Sequence, residues 1–315
     1  MPEKRDPPSE IRYYRRLAKT IVQRYFETPA TRIVYRSSGR TNYVFAINHV
    51  DGQFVIRISP EPERIGAFQK EWWAAQEVRK AGVPSPEILA VGNDVGSEPY
   101  MIMRLVTGSE ATHHSKRRRI INEVGRFAAI INSIKTNGFG ANFDWNSDSS
   151  QKITTWSEYL DQEFKVAERL EFFAAQKILP QSELNKLSKI IEETKKAEIT
   201  PSLNHSDLRL KNVIVDDDGH ITSIIDWEEC VSIIAPQWEL SLALHDLSID
   251  DKHAFIDGYG LRAEEVQQIA PLIKAFNILN YHGAAASAIE ENDASKLAEI
   301  KLRLNGSLDL FSLAC

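Results

Sequence analysis

The chain has 315 residues, 43% of them apolar and 26% charged, with a formal net charge of −6. That length holds a large core and leaves room for two lobes, and the acidic balance argues against a nucleic-acid or membrane-surface binder. Two cysteines make no disulfide framework and fit a reducing, cytoplasmic setting, and neither a signal peptide nor a membrane-spanning run is expected.

The first predicted element is a helix over 9–26, capped by Ser9, with Ile11, Tyr14, Leu17, Ile21 and Tyr25 at helical spacing. Short strands follow at 31–35, 43–48 and 53–59. The first two are joined by Ser37-Ser38-Gly39-Arg40-Thr41-Asn42, a loop that serves either as a plain hairpin turn or as a cover for phosphates made by Ser38, Gly39, Thr41 and Asn42. In the third strand Phe54, Ile56 and Ile58 share one face, and Val55, Arg57 and Ser59 the other. An arginine among strand apolars needs an anion, and the predicted helix over 64–81 offers Glu71. Kinases use such a pair to hold the α- and β-phosphates, which would set Val55 on the adenine side. The competing reading is an edge-strand arginine and an exposed helix glutamate.

Gly82-Val83-Pro84 ends the helix, and strands are expected at 87–91 and 99–105. Mostly helical sequence then begins, which sets a lobe boundary between 1–105 and 106–315. At that boundary the main-chain groups of Arg104 and Val106 are candidates for an adenine edge. The run Lys116-Arg117-Arg118-Arg119 reads as a solvated face opening a helix to about residue 134. Amphipathic helices are expected over 156–178 and 181–197, with Trp156, Tyr159, Phe164 and Phe172 in the core and the exposed face available to shape an acceptor pocket.

The chemistry concentrates in His205-Ser206-Asp207-Leu208-Arg209-Leu210-Lys211-Asn212, two short strands at 213–215 and 221–225, and then Asp226. A hairpin is expected to return Asp226 to the neighbourhood of Asp207 and Asn212. Two carboxylates and an amide converging there are costly unless they meet a cation. The spacing H-x-D-x-x-x-x-N followed by an aspartate is that of a kinase catalytic loop. By that template Asp207 orients the acceptor hydroxyl and takes its proton, and Asn212 and Asp226 hold Mg²⁺. His205 reads as a structural support, and His245 as core or surface.

Taken in order, Ser38-Gly39-x-Thr41-Asn42, Val55-x-Arg57, Glu71 before Gly82-Val83-Pro84, Met103 to Gly108, His205-x-Asp207-x₄-Asn212, Ile225-Asp226-Trp227-Glu228 and Trp238-Glu239-Leu240 resemble the motifs of the aminoglycoside phosphotransferase and choline kinase-like family. The resemblance covers about residues 30 to 245. It implies a two-lobed, protein-kinase-like α+β fold, with a small β-rich N-lobe and a larger, mostly helical C-lobe. It implies ATP or GTP as donor, Mg²⁺ as cofactor, and γ-phosphate transfer to a small-molecule hydroxyl; a monomer or weak dimer is expected. Three positions depart from the family pattern: Ser206 replaces a usual Gly, Arg57 a frequent Lys, and Glu239 a usual Asp that braces the catalytic loop. A protein kinase is disfavoured, because only twelve residues separate Asp226 from Glu239 and no A-P-E motif occurs.

An aminoglycoside is the leading acceptor, since a polycation wants an acidic pocket and Glu228, Glu229, Asp161, Glu163 and Asp246 are candidates for it. Choline, homoserine, an amino sugar or a macrolide are alternatives, as is a nucleotide-binding homologue without catalysis.

Overall fold

The computed structural model describes residues 9–36, 42–245 and 247–305. The fold divides into two compact units. The first takes the described residues up to Glu110 together with Val213–Glu228, and the second takes Ala111–Asn212 and the described residues from Glu229 onwards.

In the first unit helix α1 (Ser9–Phe26) precedes strands β1 (Arg32–Arg36), β2 (Tyr43–His49) and β3 (Gly52–Ile58). Helix α2 (Ile65–Lys80) and strands β4 (Ile88–Gly92) and β5 (Tyr100–Arg104) follow. The strands form one antiparallel sheet in the order β1-β2-β3-β5-β4. Alternation along β3 decides what each face does. Phe54, Ile56 and Ile58, with Phe45, Ile47 and Ile102, pack on Tyr14, Leu17, Ile21 and Val22 of α1. Each such buried side chain contributes on the order of 2 kcal/mol. The opposite face meets Phe68 and Ala75 of α2 through Met101 and Ile88. Arg57 belongs to that second face, among the residues of the α2 side.

The strands Val213–Val215 and Ile221–Ile224 form a hairpin that counts with this first unit. Ser109–Glu110 pairs with Val215 and Ile214, the Ile224 N–H donates to Pro84 O at 2.8 Å, and the Thr222 hydroxyl donates to Thr107 O at 3.0 Å.

The second unit is built on α3 (Arg117–Ser133), α4 (Trp156–Glu158), α5 (Val166–Ala175), α6 (Gln181–Thr194), α7 (Gln237–Ala243), α8 (Ile249–Tyr259), α9 (Ala263–Glu290) and α10 (Ala294–Leu304). A short antiparallel pair, Ser202–Asn204 with Val231–Ile233, precedes the loop His205–Asn212 and follows the hairpin. Helices α3 and α8 cross closely at Gly125 and Gly258, where a Cβ would fall 2.1 Å from Phe255 O and 1.8 Å from Asn122 O respectively. Phe164, Trp238, Phe276 and Leu279 belong to the main core of this unit, as do Trp156 and Tyr159.

The expected single helix over 156–178 is broken in two. Residues Tyr159–Glu163 form a π turn, closed by the Phe164 N–H donating to Tyr159 O at 2.9 Å, and Lys165 has a left-handed backbone (φ 53°) that restarts the chain as α5. The extra residue turns Tyr159, Leu160 and Phe164 together into the core, and the Glu163 carboxylate accepts from the Ala141 N–H at 2.9 Å. The basic run at the start of α3 also differs from a wholly solvated face. Arg117 turns inward, donating to Asp251 at 3.2 Å and to Thr112 O at 3.0 Å. Among the described residues no helix is long and apolar enough to cross a membrane.

Candidate active site

The first cluster lies in the first unit. Arg57, on the α2 face of the sheet, donates from Nη1 to both carboxylate oxygens of Glu71 at 2.8 Å. Glu71 is 2% exposed, so the pair is almost dry. Arg57 Nη2 also donates to Glu228 at 3.2 Å, and Arg64 Nη2 reaches the same Glu228 oxygen at 2.7 Å. The guanidinium stands over the Phe68 ring, 5.4 Å from its centre. Burial opposes the charge on Arg57, but Glu71, Glu228 and Asp226 outweigh it and hold the pKa above the usual arginine value. Burial, with help from Asp226 and Glu228, pushes the Glu71 carboxyl up even against Arg57. Three carboxylates thus crowd two guanidiniums, an arrangement with room for one more cation.

Asp226 follows the second hairpin strand with a left-handed backbone, φ 70°. It is half-buried, and among the described residues it makes no hydrogen bond or ion pair. A half-buried carboxylate that makes no hydrogen bond or ion pair among the described residues, held in a sparsely populated backbone conformation, suits a ligand of a hard cation.

The second cluster is the loop His205–Asn212 of the second unit. Asn212 Nδ2 donates to both Asp207 O and Asp207 Oδ2 at 2.8 Å, which leaves Oδ1 as the side chain's remaining polar atom, the one a cation needs. Asp207 is further met by Arg209 at Oδ1 and by Lys211 at Oδ2, the latter at 3.1 Å. Burial raises the Asp207 pKa, but these two cations win and hold it below the ordinary aspartate value.

The loop is braced from beneath. His205 is fully buried, and its Nδ1 accepts from the Asp207 N–H at 3.2 Å, in keeping with a structural role. Glu239, in the first turn of α7, accepts from the His205 N–H at 2.6 Å and the Ser206 N–H at 3.5 Å. The longer side chain therefore still reaches the loop. Its other oxygen, Oε1, is buried with no partner among the described residues. Burial pushes this carboxyl up to about 7, against the two N–H donors that favour the charged form. Ser206 has φ 68°, which explains why glycine suits this position, and its hydroxyl accepts from Trp238 Nε1 at 3.0 Å. The free carboxamide oxygen of Asn212 and the carboxylate of Asp226 are each of the hard oxygen type that magnesium takes, with phosphates and water completing its shell. Among the described residues no group of three or more His, Cys, Asp or Glu side chains forms a metal site by itself.

A model of the phosphotransferase enzyme family matches residues 32–272. The chain belongs to this family. No curated protein matches it. Among solved structures, a thermostable mutant of aminoglycoside phosphotransferase APH(4)-Ia in its apo form is similar, with TM-score 0.67 at 18% identity over 91% of this chain and 97% of that one. The same protein in ternary complex with AMP-PNP and hygromycin B gives TM-score 0.66 at 16% identity over 94% and 98%. The GDP and kanamycin complex of APH(2")-IIIa gives 0.63 at 14% over 92% and 97%. At such identities these matches establish the kinase-like α+β fold, with its β-rich N-terminal part and helical C-terminal part.

The other family positions fall as follows. Ser38, Gly39 and Thr41 lie outside the described residues, as does Asp246. Asn42, at the edge of that loop, is buried with its Oδ1 unpartnered among the described residues. Val55 shares Arg57's face and is half-buried. The Arg104 N–H is spent on Glu87 O at 2.9 Å and its side chain on Glu87 at 2.6 Å, while Val106 enters no main-chain hydrogen bond among the described residues. Of the acidic acceptor candidates, Glu228 is committed to Arg57 and Arg64, Asp161 pairs with Lys195 at 2.7 Å, Glu163 holds the Ala141 N–H, and Glu229 is exposed. Sequence reading passed over Arg64, Arg209 and Lys211. The last two were within reach, since they sit two and four residues beyond Asp207 on a short loop.

Proposed function

We propose that this chain transfers the γ-phosphate of ATP or GTP to a hydroxyl of a small molecule. The observation that carries the reading is the catalytic loop. Asp207 is braced by His205 and Asn212 on a loop that Glu239 holds from below, so its carboxylate is positioned for an acceptor hydroxyl before any ligand arrives. Asp207 orients that hydroxyl and takes its proton as the oxygen attacks phosphorus. Arg57, steadied by Glu71, binds the α- and β-phosphates. Asn212 and Asp226 would hold Mg²⁺, which when bound neutralises charge on the phosphates. Neighbours with AMP-PNP and with GDP support a nucleotide donor without separating ATP from GTP.

The complexes of structural neighbours with hygromycin B and kanamycin support an aminoglycoside acceptor, and with it a cytoplasmic role in antibiotic resistance. A second acceptor class is favoured by a specific observation: the carboxylates expected to receive a polycation are largely engaged, whereas two cations flank Asp207. ADP and GDP release with Mg²⁺ against a panel of aminoglycosides, macrolides, choline, homoserine, amino sugars and hydroxy acids tests the function, with Asp207→Asn as control. Release with one acceptor, abolished in the control, is the expected result. Nucleotide binding with silence across every acceptor would favour a non-catalytic homologue.

A further inference from the structure

In the ion-pair cluster of the first unit, a carboxylate stands where a donor phosphate is expected. Arg57 spends Nη1 on Glu71 and Nη2 on Glu228, so both of its terminal nitrogens meet an anion before any ligand arrives. The two anions are held unequally. Glu71 takes two bonds at 2.8 Å and is almost dry, whereas Glu228 takes one at 3.2 Å and is part-exposed. A phosphate that needs Arg57 therefore displaces Glu228 and leaves Glu71 in place, because a part-exposed pair gives way far more readily than a buried one.

Displacement alone would leave a carboxylate beside the phosphates, and like charges at close range oppose binding. Arg64 offers that carboxylate another partner. Its Nη2 already reaches the Glu228 oxygen that Arg57 uses, at the shorter distance of 2.7 Å. Its Nε, on the same edge of the guanidinium, is buried with no partner among the described residues. Such an edge takes a carboxylate side-on, one oxygen on Nε and the other on Nη2. Half of that seat is filled, and the other half is a buried donor that stays costly until a second oxygen comes to it. Arg64 closes the short turn Pro62–Arg64 and leads straight into α2, the helix whose Glu71 fixes Arg57.

We propose that Glu228 holds the phosphate place on Arg57 in the nucleotide-free protein, and that Arg64 takes this carboxylate over, side-on, when the donor binds. Arg64 is then a positioning residue, acting on the donor phosphates through Glu228 without touching them. The inference rests on the phosphotransferase reading and deepens it, since it names how Arg57 is kept paired until the nucleotide arrives.

Calorimetric titration with Mg²⁺-ADP and Mg²⁺-GDP tests this without an acceptor, using the wild type, Arg64→Gln, Glu228→Gln and the double variant. Arg64→Gln strands Glu228 on Arg57 and weakens binding about tenfold. Glu228→Gln removes the competitor and binds at least as tightly as the wild type. In that background Arg64→Gln changes affinity by less than about twofold, which is the coupling that the exchange requires. Should Arg64→Gln not fold, Arg64→Lys keeps the charge, loses the fork and weakens binding about threefold, only when Glu228 is present. Urea unfolding of the same proteins identifies a merely structural bridge, which couples the two residues in stability and leaves nucleotide affinity unmoved; that pattern overturns the inference. Equal weakening by Arg64→Gln in both backgrounds also overturns it, by making Arg64 a direct phosphate contact. So does weaker binding by Glu228→Gln than by the wild type, which makes Glu228 a helper of the bound nucleotide and not its competitor. Each of these results leaves the phosphotransferase reading standing. A wild type that binds neither nucleotide refutes that reading, and the inference with it.

Discussion

Glu239→Gln tests whether the brace under the catalytic loop titrates in the working pH range. The carboxyl is fully buried, one oxygen serves the His205 and Ser206 N–H groups, and the other has no partner among the described residues. Burial lifts its pKa from the ordinary 4.5 to about 7. Because the folded value lies above the unfolded one, the native state binds the proton more tightly. Stability from this group is therefore greatest in acid and falls as pH rises from about 4.5 to about 7. At 1.36 kcal/mol per unit the fall amounts to about 3 kcal/mol. The glutamine keeps an acceptor for the His205 N–H and cannot ionise, so this component vanishes. Urea unfolding of both proteins across that range gives the double difference, in which all other titrations cancel. The wild type should lose about 3 kcal/mol relative to the variant between the acid and neutral ends. A difference that stays flat with pH would refute the assignment of a burial-raised carboxyl to Glu239.

Asp207→Asn should lower turnover about 10²-fold or more and leave nucleotide affinity nearly unchanged, which single-turnover assays and calorimetry separate. A parallel loss of affinity would remove Asp207 from the acceptor side. Asp226→Ala should weaken binding of the Mg²⁺-nucleotide while metal-free nucleotide binds as before, and equal magnesium dependence in both proteins would contradict its role as a ligand. Arg57→Met leaves Glu71 buried without its guanidinium and should cost about 3 kcal/mol in urea unfolding, together with reduced nucleotide affinity. Gly258→Ala places a methyl group 1.8 Å from Asn122 O and should destabilise by about 3 kcal/mol in urea unfolding, since α3 and α8 have to separate; a neutral result would refute the tight crossing.

Much of this molecule was legible from local pattern. The two-residue alternation of β3 put Arg57 opposite its apolar neighbours, and helical spacing put Glu71 on the face of α2 that meets it. Both follow from backbone periodicity alone, as do α1 and the hairpin after Asn212. The H-x-D-x-x-x-x-N spacing likewise gathers His205, Asp207 and Asn212 on one loop, because a loop that short leaves few ways to arrange them.

What stayed hidden depends on partners distant in sequence. Glu228 looks like any acidic residue until Arg57 and Arg64, more than 160 residues earlier, are brought to it. The break of 156–178 into a π turn and α5 is invisible to periodicity, because one inserted residue shifts the phase without changing the composition. Sequence by itself determined the fold class and the chemistry available, since strand and helix periods and the loop spacing are properties of neighbouring residues. Only the tertiary structure decided which charges are spent and which remain to meet a ligand, because ion pairing and burial are properties of residues that the chain separates and the fold reunites.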